Sequence, residues 1–229
     1  MNIKQPKLLP VLETTKYESI LQNEDQIFDG VEIIDEHFKS VELKRFVTFS
    51  SVIRDSNLSE NIFEGADVVD TRFINCDFSN TSFSKASIHR VEFINCKMTG
   101  VIFEETIMKD VRFKESLLNL SSINESKLEN IVFEESKLLT TDFFNSKLKN
   151  THLKNCDLTE SKFMDTSLAG IDISSSFFEA LSIKKEDLEG CIVSPLQAIQ
   201  MAPLMGLVVK EEMQYNKYEE KQTCLNSLN

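Results

Sequence analysis

Residues 66–100 read ADVVDTRFINCDFSNTSFSKASIHRVEFINCKMTG, and a period of five governs them. Phe73, Phe78, Phe83, Ile88, Phe93 and Met98 fall at every fifth residue. Extended both ways, the same phase covers 32 positions from Ile33 to Leu188, of which 31 are Phe, Leu, Ile, Met or Val; Thr48 is the exception. Two places before the large residue, 23 of 26 positions from Ser51 to Ser176 are Ser, Thr, Ala, Cys or Val. Asn61, Ile131 and Ile171 stand outside that set, and the other three of each five are mostly polar.

Neither an α-helix nor a plain strand accommodates this spacing. A helix would scatter every fifth residue around its axis, and a long strand would send successive fives to opposite faces. A coil that turns after each five satisfies it, with the large and the small residue inside and the remaining three in water. Positions ending in 3 are Phe in nine of 16 cases, whereas those ending in 8 are Phe in three and otherwise mainly Leu. That alternation predicts four sides per coil and stacking at a 20-residue period. Phe73, Phe93, Phe113 and Phe133 then form one ladder, and Phe63, Phe83 and Phe103 another. Coils about 4.8 Å apart put eight of them in a rod about 38 Å long.

The fives CDFSN, CKMTG, CDLTE, TSLAG, TRFIN and SKFMD resemble the pentapeptide-repeat family. The resemblance implies an all-β fold, a right-handed quadrilateral β-helix. A solenoid must cover its ends. We read residues 1–27 as an N-terminal cap with a strand, 28–190 as the β-helix, 191–210 as a C-terminal helix and strand cap, and 211–229 as a polar tail open to disorder. In SPLQAIQM, Ser194 is a fitting N-cap, Pro195 a first helical residue and Gln197 the partner of a capping box. Pro203 is expected to end or kink this helix, and Gly206 to terminate it. Leu196, Ile199, Leu204, Met205 and Leu207 exceed what so short a helix buries on one face, and are read as a contact with a second copy.

Composition narrows the function. The 229 residues are 41% hydrophobic and 27% charged, with net charge −12, which argues against gripping nucleic acid or an anionic membrane directly. No apolar run approaches a membrane span, and MNIKQPKLLPVLETTKY lacks a signal-peptide core, so a cytoplasmic location is expected. Of the five cysteines, Cys76, Cys96 and Cys156 occupy small inward slots on one side and read as reduced packing residues. Cys191 is placed near the cap and Cys224 in the tail, and no pair has zinc-ligand spacing. His37, His89 and His152 fall on outward slots of different coils. No serine has an adjacent base, and the six glycines form no phosphate loop. The chain reads as a binding protein, not an enzyme, without metal or cofactor.

Acidic residues are the remaining feature. At a 20-residue period Glu105 stacks with Glu125 and Glu115 with Glu135, beside Glu104 and Glu134. Like charges one rung apart are destabilising. Residues 101–140 nevertheless hold 8 acids and 5 bases, much as their flanks do, so a generally acidic solvated surface and a tuned stripe both remain open. Duplex DNA carries one charge per about 1.7 Å, roughly 22 along 38 Å; the chain offers 12 net.

The block DLEGCIVSPLQAIQMAPLMGLVV (187–209) resembles the end of Qnr-type pentapeptide proteins. SIHRVEFINCKMTG (87–100) and CDLTESKFMDTSLAGIDIS (156–174) resemble their enterococcal-type members. The resemblance implies a homodimer joined through the C-terminal segment. It also implies an acidic imitation of DNA that binds the type II topoisomerases, DNA gyrase and topoisomerase IV, and protects them from fluoroquinolones. Proteobacterial Qnr members carry loops that matter for protection, whereas this repeat is unbroken, which leaves topoisomerase contact better supported than drug protection. The alternative is a structural scaffold with another protein partner.

Overall fold

The computed structural model describes residues 3–22, 25–38 and 45–210. Leu43, Cys224 and the tail 211–229 lie outside them. The described residues form a right-handed quadrilateral β-helix of about eight coils with a short helix near its C-terminal end. In chain order the elements begin with β1 (Glu13–Thr14), α1 (Tyr17–Leu21), β2 (Ile27–Asp29), β3 (Val31–Ile34), β4 (Val47–Phe49) and β5 (Val52–Arg54). Five eight-residue strands follow, β6 (Asp67–Ile74), β7 (Ser87–Ile94), β8 (Ile107–Lys114), β9 (Lys127–Glu134) and β10 (Lys147–Lys154). Short β11 (Ser161–Lys162), β12 (Leu181–Ser182) and helix α2 (Pro195–Met201) complete the list.

Every pairing is parallel, and the register is the predicted one. Phe73 faces Phe93, Phe93 faces Phe113 and Phe113 faces Phe133 along β6 to β9. Each long strand covers two sides of its coil; the other two sides are turns joined by single bridges such as Asp77–Lys97 and Ser82–Ile102. Inside, the Phe93–Phe113 and Phe113–Phe133 rings stack at 5.0 and 4.9 Å, close to the strand spacing. The second ladder meets the first across the interior, Phe103 touching Phe113 edge-on at 6.3 Å.

The small inward slot has its own logic. Its hydroxyls reach the neighbouring coil, as when Ser126 Oγ donates to the Phe103 carbonyl at 2.7 Å and Thr106 Oγ1 to that of Phe83 at 2.9 Å. A Ser or Thr there is dry yet hydrogen-bonded, so it escapes the penalty of an unpaired buried polar group. Thr48, the exception among the large residues, is compensated in its own coil. Phe46 fills the preceding small slot and stacks on Phe63 at 4.2 Å, while the Thr48 hydroxyl lies 2.8 Å from that of Thr71.

Corners close by a backbone feature that the period of five does not reveal. The residue two after each large one is left-handed nearly throughout, from Asp55 (φ 53°) through Asn95 (51°) and Glu125 (53°) to Asp165 (56°). Asn, Asp and Gly tolerate this region; other L-residues are strained in it by about 1–2 kcal/mol. Leu120 is the least suited occupant, at φ 59° with its side chain 64% exposed. Leu120→Asn is expected to raise stability by about 0.5–1 kcal/mol, read as a higher urea midpoint at unchanged slope.

The ends are covered differently. Strand β1 adds to β3, and α1 turns Tyr17 and Ile20 into the core, Tyr17 stacking on Phe38 at 4.8 Å. At the other end Ser194 and Gln197 form the capping box of α2. The helix passes at Ala202–Met205 into a 3-10 turn that Gly206 ends at φ 75°. Gln197 is 4% exposed, and its Nε2 donates to the carbonyls of Ile173 at 2.9 Å and Ser176 at 2.7 Å, plugging the last coil.

Candidate interaction surface

Outward side chains form columns that climb the rod one coil at a time. In several columns opposite charges alternate. Arg90 pairs with Asp70 at 2.6 Å, Arg72 with Glu92 at 2.7 Å, Lys97 with Asp77 at 3.0 Å, and Glu129 with both Lys109 and Lys149 at 3.5 and 3.0 Å. Burial alone would raise the Asp70 carboxyl, but the Arg90 guanidinium and the Lys7 N–H overcome it and hold it below the usual carboxylate range. Asp77 behaves likewise, with Ser79 and Lys97 outweighing burial.

The stacked pairs Glu105/Glu125 and Glu115/Glu135 break this alternation, and the structure divides the predicted acidic residues into two groups. Glu105 and Glu125 share one corner column, Glu115 and Glu135 another ten residues away, which on a four-sided coil is the diagonal corner. One flat partner surface therefore cannot touch both pairs. Their surroundings also differ. Glu115 has Lys114 at 3.3 Å, and Glu134 lies in register between Lys114 and Lys154. Glu104, Glu105 and Glu125 instead line a shallow cleft of about 190 Å³ with Asn124 and a 40%-exposed Phe144. Asp142, bridged between Ser122 and Lys162, adds a fourth carboxylate to that side, and Lys85 interacts with Glu105 from the coil before. All four corner glutamates are left-handed, at φ 52–53°.

The C-terminal residues singled out from sequence are open to solvent: Leu196, Ile199, Leu204, Met205 and Leu207 are 41–66% exposed, and Ile192 is 51%. Beside them Leu188, Met201, Leu204 and Met205 line a mostly apolar cleft of about 430 Å³. Cys76, Cys96 and Cys156 are buried free thiols; burial pushes Cys156 up to about 11 and Cys96 well above its ordinary value. Burial also lowers His152. Among the described residues no cluster of His, Cys, Asp and Glu could hold a metal ion, and no helix is long and apolar enough to cross a membrane.

The family model for a pentapeptide repeat region matches residues 66–143, and that for pentapeptide repeats, in eight copies, residues 141–179. A model of the SV2A/B/C luminal domain matches residues 12–103. No curated protein matches the sequence significantly. Among solved structures, trypsin-treated QnrB1, a plasmid-mediated fluoroquinolone resistance protein, is similar at 15% identity and TM-score 0.39, covering 89% of this chain and 98% of its own. HetL, a pentapeptide repeat protein involved in heterocyst differentiation regulation in the cyanobacterium Nostoc sp., is similar at 13% identity and TM-score 0.34, covering 73% and 85%. With the repeat matched over residues 66–179 and its five-residue sides closing four to a coil, the chain is a pentapeptide-repeat protein.

Proposed function

We propose that the chain is a non-enzymatic, acidic mimic of duplex DNA that docks on a type II topoisomerase, DNA gyrase or topoisomerase IV, as a homodimer joined through its C-terminal cap, and shields the enzyme from fluoroquinolones. The observation that carries this reading is the side on which Glu104, Glu105, Glu125 and Asp142 crowd together, with Lys85 and Lys162 only at its two edges. Its corner glutamates combine left-handed strain with like-charge stacking, where an Asn would relieve both. Carboxylates at coil spacing present a regular file of negative charge to a groove built for phosphates. The exposed apolar residues of the cap supply the dimer contact.

A charge-matched comparison tests the reading. Glu105→Lys with Glu125→Lys, and Glu115→Lys with Glu135→Lys, each move the net charge from −12 by the same four units. The first pair should weaken inhibition of gyrase supercoiling roughly tenfold, at about 0.5 kcal/mol per unit discounted for screening, and the second far less. Equal losses would mean that net charge alone acts. A wild type inert up to roughly tens of micromolar would reject topoisomerase binding and leave a scaffold with another protein partner.

A further inference from the structure

One stretch leaves the repeat and lies along its outside. Residues 3–10 run across the coils on a single corner column, the one that holds Gly30, Ser50, Asp70, Arg90, Asp110 and Asn130. The Leu9 N–H donates to Ser50 Oγ at 2.8 Å, the Lys7 N–H to Asp70 Oδ1 at 2.9 Å and the Lys4 N–H to Asp110 Oδ1 at 3.3 Å. Ser50 Oγ in turn donates to the Lys7 carbonyl at 3.2 Å. The Leu9 side chain rests on Gly30, where an added Cβ would stand 2.9 Å from Leu9 Cδ1. Lys4 to Leu9 climbs three coils, about 14 Å, and five extended residues reach about 16 Å, so the arm is nearly fully drawn out.

Outward slots beside the arm are shut. Asp110, Val132 and Glu92 are 3, 5 and 7% exposed, and Ile3 on the arm is 9%. Further along the same columns Asn150 and Asp172 are open. The acceptors that hold the arm read backbone N–H groups, not side chains, so they select an extended chain lying across the coils. Gly30 adds room for one branched apolar side chain.

We propose that the arm is a detachable strap, and that the corner beneath it is a track for an extended peptide segment: residues 3–10 fill it in cis, and an extended segment of a protein partner takes it when the strap lifts. This does not depend on what the acidic side binds.

The test keeps the full chain. Lys4→Pro, Lys7→Pro and Leu9→Pro together remove the three N–H donors and touch no bond of the rod, which circular dichroism and an unchanged melting transition would verify. At roughly fivefold per hydrogen bond, the open fraction should rise about a hundredfold. Carbodiimide labelling of Asp110, which accepts from the arm's Lys4 N–H, followed by mass spectrometry, reads that opening directly. A fluorescent peptide of residues 3–12 should then bind the variant at about millimolar or tighter, because a tethered arm competes at about millimolar effective concentration, and should bind the wild type at least tenfold more weakly. Unchanged labelling would overturn the strap. Raised labelling without peptide binding, or equal binding to both proteins, would overturn the track.

Discussion

Phe103→Ala should lower the unfolding free energy by about 3–5 kcal/mol, from lost burial plus the cavity left behind. The ring is fully buried, stacks on Phe83 at 5.4 Å and 15°, and meets Phe113 edge-on at 6.3 Å. No neighbour can move in, because each is fixed by its own ladder one coil away. Urea denaturation followed by circular dichroism measures the loss. Phe144→Ala is the matched control: the same deletion on a 40%-exposed outward slot should change stability by less than about 1 kcal/mol. If the two variants melted alike, the inward assignment of the ladder would be wrong.

The second large effect lies at the cap. Gln197→Leu keeps the size of the side chain but leaves the Ser176 carbonyl and the Ser194 N–H without the partners that Gln197 supplies, while the Ile173 carbonyl keeps only the Ser176 N–H. At about 1–3 kcal/mol per buried unpaired group, a loss of roughly 3 kcal/mol is expected. Because coils of a solenoid contact only their neighbours, this loss should appear as fraying of the last coils. Amide exchange should accelerate across residues 153–192 and stay slow in β7 and β8. Acceleration along the whole rod would show that the cap and the middle melt as one unit. Gln200→Leu, which loses a single 3.2 Å bond to the Phe178 carbonyl, should do much less.

Coil register was legible in the sequence because volume is enforced at every fifth position, and a shift by one residue would expose the whole Phe ladder. Thr48 looked like a defect only because the compensating Phe46 sits in the other inward slot of the same coil. The left-handed corners were written in the repeated asparagines, Asn75, Asn80, Asn95, Asn130, Asn145, Asn150 and Asn155, but a hydrophobic period does not register a backbone angle. Gln197 could be read as a helix cap from local spacing, whereas its grip on Ile173 and Ser176 depends on which coil lies beneath it. Stacking taken column by column gathers the six glutamates into one set. Their separation onto diagonal corners emerges only when the columns are arranged around the coil. Nothing in IKQPKLLP marks it as a strap, since its partners are side chains many coils downstream.

The strap also gives the molecule an order in time. Inward hydroxyls and ladder bonds join residues 20–23 apart, so each coil can settle as soon as the next one is made. The bond from Lys4 to Asp110 spans 106 residues. At a synthesis rate of roughly 5–20 residues per second, the arm waits about 5–20 seconds after it leaves the ribosome before its last anchor exists. Within that interval the Ser50 and Asp70 anchors, 41 and 63 residues from the arm, are made first, so the arm fastens stepwise from its Leu9 end. It is fully fastened only over a rod whose β8 has formed, so that a truncated nascent chain and a complete one present different outer surfaces.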